Sequence, residues 1–215
     1  MPWARILVFW WPNYSDKNDM TPTFDFFYTA NRQEWRQWLA DNHEKSPGIF
    51  FVFYKKKTGH PTLTYGEAVE DALCYGWIDS LPCKIDDERH GLKFSPRKSR
   101  SVWSKPNKDR IERLIADDLM TPIGLAKIEA AKLDGCWDAL TDSDNLVIPA
   151  DLDAALLANP VAHQNFYGFS PGSRKIILYW ITSAKRSETR QKRIEETVRL
   201  AAMGKRANFP GDTKT

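Results

Sequence analysis

Five cationic residues, Arg97, Lys98, Arg100, Lys105 and Lys108, crowd around one indole, Trp103, in the stretch FSPRKSRSVWSKPNKDRIERL, residues 94–114. From Lys93 to Arg110 there are seven positive side chains and one aspartate, Asp109. Pro96 and Pro106 punctuate the stretch and no long apolar run crosses it, so it reads as a loop. A loop cannot hide that many ammonium and guanidinium groups, because each costs several kcal/mol to desolvate unpaired. They face water, acids of the chain itself, or an anionic ligand. Trp103 has two readings. It stacks on a base or under an arginine, each worth ~1–3 kcal/mol or less, or it plugs the loop onto the core beside the next helix, and the plug is the better bet.

A second block holds Lys185, Arg186, Arg190, Lys192 and Arg193. On a helix, 186, 190 and 193 stack on one face, while Glu188–Lys192 and Glu195–Arg199 at i,i+4 partly neutralise the rest. A solvated helix face is the usual fate of such a run; an anion site is the sharper reading. Between the blocks, from Glu112 to Asp153, ten acidic residues stand against Arg113, Lys127 and Lys132. The expected contact surface is the 97–108 loop together with the 185–193 face. Its ligand would be nucleic acid or another phosphate-bearing molecule.

An enzymatic reading rests on CYGWIDS. Asp79 near Arg97 or Lys105 could floor a polar pocket under Trp77, and a buried acid there could act as a base. In the plainer reading Asp79 pairs with a basic residue and Trp77 fills core. The phosphate-loop, dinucleotide, nucleophile-elbow and zinc-protease signatures are all missing, and no cofactor is expected. Asp86-Asp87-Glu88 carries donors suited to a hard cation, but three adjacent acids of a tight turn cannot all face one point. His43, His60, His90 and His163 are scattered, and Cys74, Cys83 and Cys136 lack metal-ligand spacing, so no metal is expected. Reduced thiols fit a cytoplasmic chain.

The elements that must position these residues follow from 215 residues with 42% hydrophobic content and net charge +3. That is enough chain for one domain or two small ones without staples. The apolar run Ile6–Trp11 is too short for a signal core or a membrane span, so residues 1–19 read as an extension ahead of Met20. Asn31 and Glu34 start a helix carrying Trp35, Trp38 and Leu39 on one face. GIFFVFYKKK reads as a strand buried on both faces. Thr64 and Glu67 form a capping box before an amphipathic helix that ends near Gly76. WIDSLPCKI and GLKFS read as two strands around DDERH, the first an edge strand because Pro82 cannot donate to a ladder. A helix with Asn107 as its cap and Ile111, Leu114, Ile115 and Leu119 inward comes next. Thr121-Pro122 opens another, which stops at Asp134-Gly135. TDSDNLVIPAD is a polar link, Asn159-Pro160 stops a helix over 152–157, and helices after Ser170-Pro171 and Ser187 complete the chain. Their inward residues are Ile177, Trp180 and Ile181, then Ile194, Val198 and Ala201. Strands and helices mixed first and helices alone afterwards predict α+β with an all-helical carboxyl-terminal unit. The expected domains are 20–140 and 151–206, with a tail over 207–215.

EWRQWLADNH, GIFFVFYKK, LTYGEAVEDALCYGWIDS, the 94–114 stretch, and SAKRSETRQKRIEETV after LYWI together resemble the YdeI/OmpD-associated, or bacteriocin-protection, family over roughly residues 24–204. The resemblance implies an α+β domain followed by a helical unit, and a link to envelope stress and tolerance of bacteriocins or cationic antimicrobial peptides. It brings no catalytic residues. The chain departs from the family pattern at Leu81-Pro82-Cys83, at His90-Gly91 and at Pro106. The function expected is therefore a non-catalytic stress-tolerance module binding an anion. The alternatives are a small-molecule enzyme using Trp77 and Asp79, and an envelope-associated protein-interaction partner.

Overall fold

The structure, a computed structural model, describes residues 24–212; the expected extension over 1–19 lies outside them. The elements run β1 (Phe26–Phe27), α1 (Arg32–Asn42), β2 (Ile49–Tyr54), a single 3-10 turn (Lys56–Thr58), α2 (Tyr65–Cys74), β3 (Trp77–Lys84), β4 (Arg89–Pro96), α3 (Lys105–Ala116) and α4 (Pro122–Leu133). Then come α5 (Thr141–Asp144), α6 (Ala150–Leu157), α7 (Pro160–Gly168), α8 (Pro171–Thr182) and α9 (Ser187–Ala202). Among the described residues every strand precedes Arg97, so the class is α+β with a helical carboxyl-terminal region. Two compact units meet between Trp137 and Asp138.

In the first unit the strand order is β1-β2-β4-β3, with β1 parallel to β2 and the other pairs antiparallel. β2 is central, and Phe51, Val52 and Phe53 are all buried because successive side chains enter both layers. β3 is at the edge, where Pro82 leaves no ladder donor wanting, and its register slips between Asp79 and Pro82. Trp35 anchors α1: its indole N–H donates to the Ala68 carbonyl at 3.1 Å and its ring meets Phe51 edge-on at 5.0 Å. The Thr64–Glu67 capping box is present, and Gly76, at φ 70°, turns α2 into β3. Gly124 lets α4 approach the end of α2, since a Cβ there would come within 2.3 Å of the Cys74 carbonyl oxygen. Asp71, wholly buried on α2, receives Arg32 at 2.9 Å and Arg36 at 2.8 Å from α1.

The second unit has its own core of Leu152, Leu156, Phe166, Ile177, Ile181, Ile194 and Ala201, contributed by α6 through α9. Asn165 ties α7 to α9 by donating to the Ala201 carbonyl at 2.8 Å.

Several local expectations are corrected. β1 was not expected, because two residues carry no period. The cap of α3 is Ser104, through its backbone; Asn107 lies inside the helix, buried, where it accepts a hydrogen bond from Arg110 at 3.1 Å. Ile111 and Leu114 are buried, whereas Ile115 and Leu119 are exposed. Asn31 does cap α1, but the Glu34 carboxylate accepts from the Thr29 hydroxyl rather than closing a box. The polar link contains α5, and Asn159-Pro160 also opens α7, with the Asn159 side chain accepting from the Ala162 N–H. Arg199 pairs with Glu196 at 2.8 Å instead of Glu195.

Candidate functional site

β4 ends at Pro96, and the next residue leaves the sheet with its backbone N–H fixed on the Gly76 carbonyl at 2.9 Å. That residue is Arg97, only 5% exposed. Its guanidinium carbon lies 3.5 Å from the centroid of the Trp103 ring, a distance that places it over the face. Trp103 is buried as well and leans on Trp137 at 5.3 Å. One end of the guanidinium is engaged: Nη1 donates to Ser101 Oγ at 2.7 Å and to the Val102 carbonyl at 3.3 Å. The other edge is not. Nε is sealed from solvent without a hydrogen-bond partner, and among the described residues no carboxylate lies within 4.0 Å of the group.

A guanidinium in that position is expensive, since burial disfavours its charged form. Burial indeed pushes the Arg97 guanidinium down to about 10, with the charge of Asp79 acting in the opposite sense. Asp79, on β3, accepts a hydrogen bond from the Tyr65 hydroxyl at 3.0 Å. Burial, and then the Asp79 carboxylate, hold the Tyr65 phenol above its usual range. Arg110, from α3, lies 5.8 Å from the Tyr65 ring centroid. The end of α2's capping turn, β3, the loop after β4 and α3 thus assemble Tyr65, Asp79, Arg97, Trp103 and Arg110. Tyr65 and Arg110 were not singled out from sequence, for they stand 14 and 13 positions from Asp79 and Arg97 with no shared period.

The other expected site residues separate. Trp77 is core, 1% exposed, its indole N–H donating to the His43 carbonyl at 3.1 Å. Lys105 is drawn to Asp109 along α3 at 3.4 Å. Lys108 lies 5.2 Å from the Trp137 ring. Lys98 and Arg100 are exposed, and Arg100 adopts φ 60°. Its side of the loop faces Asp134, whose carboxyl is held low by the Cys136 backbone N–H first and by Arg100 to a lesser degree.

In the second unit the basic face divides. Arg190 grips Asp151 with two hydrogen bonds, at 2.6 and 2.8 Å. Arg193 donates to the Trp180 carbonyl and to Ser183 Oγ. Both hold α9 to its neighbours. Lys185 and Arg186 remain exposed just ahead of α9, with Arg186 at its cap position.

Among the described residues no group of three or more His, Cys, Asp or Glu is placed to hold a metal. Asp86 instead organises its own turn, accepting from the backbone N–H groups of Glu88 and Arg89. A cavity of about 320 Å³ opens between β1 and the loop after α1, lined by Phe26, Phe27, Trp38 and Asn42 among others, and away from the predicted residues. No helix of the described residues is long and apolar enough to cross a membrane.

These two units define a chain with an α+β module followed by a small helical one. Residues 145–204, in the helical unit, match the family described as bacteriocin-protection, YdeI or OmpD-associated. Residues 27–127, within the α+β unit, match a separate domain of unknown function, DUF8412. No curated protein and no solved structure matches the chain.

Proposed function

We propose that this protein, of bacteriocin-protection type at the level of its helical domain, acts through its α+β unit as a non-catalytic binding module for an anionic ligand received at Arg97. One observation carries the reading: Arg97, a residue only 5% exposed, has no carboxylate within 4.0 Å among the described residues and an Nε–H with nothing to donate to. Buried charges are ordinarily paired, because an uncompensated one costs several kcal/mol. An anion supplies the missing charge and the missing acceptor together. Lys98 and Arg100, exposed on the same loop, add long-range attraction. Asp79 is engaged by Tyr65 and Trp77 by the core, so no observation favours catalysis at that pair.

The sign of a stability change tests the reading. Replacing Arg97 by Met keeps the apolar stem over Trp103 and removes the charge, so Arg97→Met should unfold at the same temperature as the parent or higher. Phosphate and acetate should stabilise the parent, by ~2.7 kcal/mol at a concentration 100-fold above Kd, and leave the variant's midpoint unmoved. A variant destabilised by more than ~2 kcal/mol, beside a parent indifferent to anions, would make Arg97 a structural arginine only.

A further inference from the structure

Resting on the reading of Arg97 as an anion receptor, we infer that its ligand is a small monocarboxylate rather than a phosphate-bearing polyanion. Three observations converge. The first is the edge that is left open. Nη1 is occupied by Ser101 and Val102, so the sealed donor without a partner is Nε–H, and on the same edge Nη2 makes no hydrogen bond to the described residues. Together they form the side-on fork, whose two parallel N–H groups match the two oxygens of a carboxylate. The second is charge. Among the described residues Arg97 senses the carboxylate of Asp79, which accepts from the Tyr65 hydroxyl, and Arg110 lies against the Tyr65 ring. That group is left with one positive charge, which one carboxylate neutralises and a dianion would overshoot. The third is enclosure. Arg97 is 5% exposed and Trp103 closes one face of its guanidinium at 3.5 Å, an enclosure that does not suit a backbone of successive phosphates. Polyanion readers display their cations along open grooves, whereas here Lys98 and Arg100 are exposed and the arginine with the open fork is buried.

The test uses the full chain and the side-chain Nε–H resonance of Arg97, assigned by its disappearance in Arg97→Lys. At constant ionic strength, acetate and formate should shift that resonance saturably, with affinity ~10-fold or more above sulfate and phosphate. By calorimetry Arg97→Lys, which keeps the charge but lacks the fork, should lose the acetate heat. Tighter binding of sulfate or phosphate would overturn the monocarboxylate assignment while leaving an anion receptor in place. Acetate binding retained by Arg97→Lys would overturn the fork. A resonance that answers to no anion would remove both this assignment and the receptor on which it rests.

Discussion

Two buried charges of the first unit show opposite solutions to one problem. Asp71 is fully enclosed and receives guanidinium groups from Arg32 and Arg36, with Glu70 engaging Arg32 and Arg113 alongside it. Arg97 is almost as enclosed and receives none. Removing one partner of a buried ion pair leaves the other uncompensated, so Asp71→Asn should lose ~3–5 kcal/mol of stability, read from urea unfolding. Arg97→Met, with no carboxylate at ion-pair distance among the described residues to abandon, should not. At this scale the sequence was half legible. The stretch 94–114 announced cations around Trp103, but not which one the fold would enclose. Arg97 is singled out because Pro96 ends β4 and the Gly76 carbonyl fixes the following N–H. Both are facts of pairing between distant segments.

Among elements, α2 is the one whose signal and structure agree most fully. The Thr64 backbone N–H, and next its hydroxyl, hold the Glu67 carboxyl below the usual carboxylate range. A depressed folded pKa means that the contribution is present above the unfolded value, about 4.3, and fades as pH falls through the folded one. The stability gap between the parent and Glu67→Gln should therefore be widest near neutral pH and narrow below about pH 4. Thermal unfolding of both proteins across that range measures it. The capping box was readable because its partners are three residues apart. Asn107 was misread as a cap for the converse reason. Asparagine suits caps generally, yet here the polar group is held inside α3 by Arg110 while Ser104 starts the helix through its backbone. Asn159-Pro160 was read only as a stop, although the same pair suits the opening of a helix, and α7 follows it. Arg199 chose Glu196 over Glu195, since both i,i+3 and i,i+4 neighbours lie within reach on a helix.

For the molecule as a whole, the division between Trp137 and Asp138 falls in the gap between the two family matches, which end at 127 and begin at 145. Each unit has a core built from its own elements. Phe166, fully buried among α6–α9 residues, is the largest side chain of the second core. Phe166→Ala should destabilise that unit by ~3–5 kcal/mol. Hydrogen exchange should then show faster amides over 150–202 and unchanged protection in β2, β4 and α2. The order of elements was legible here, because hydrophobic period survives in each segment. The meeting of residues from α2, β3, the loop after β4 and α3 around one guanidinium was not, because no spacing along the chain encodes it.

The outermost strand of the sheet carries one more lesson. With a proline at position 82 and a register slip just before it, β3 offers a neighbouring molecule an interrupted row of donors and a kinked backbone. Crowded copies of this chain therefore lack a straight template on that side for zipping sheet to sheet, and the aromatic richness of the interior is kept from seeding fibres there.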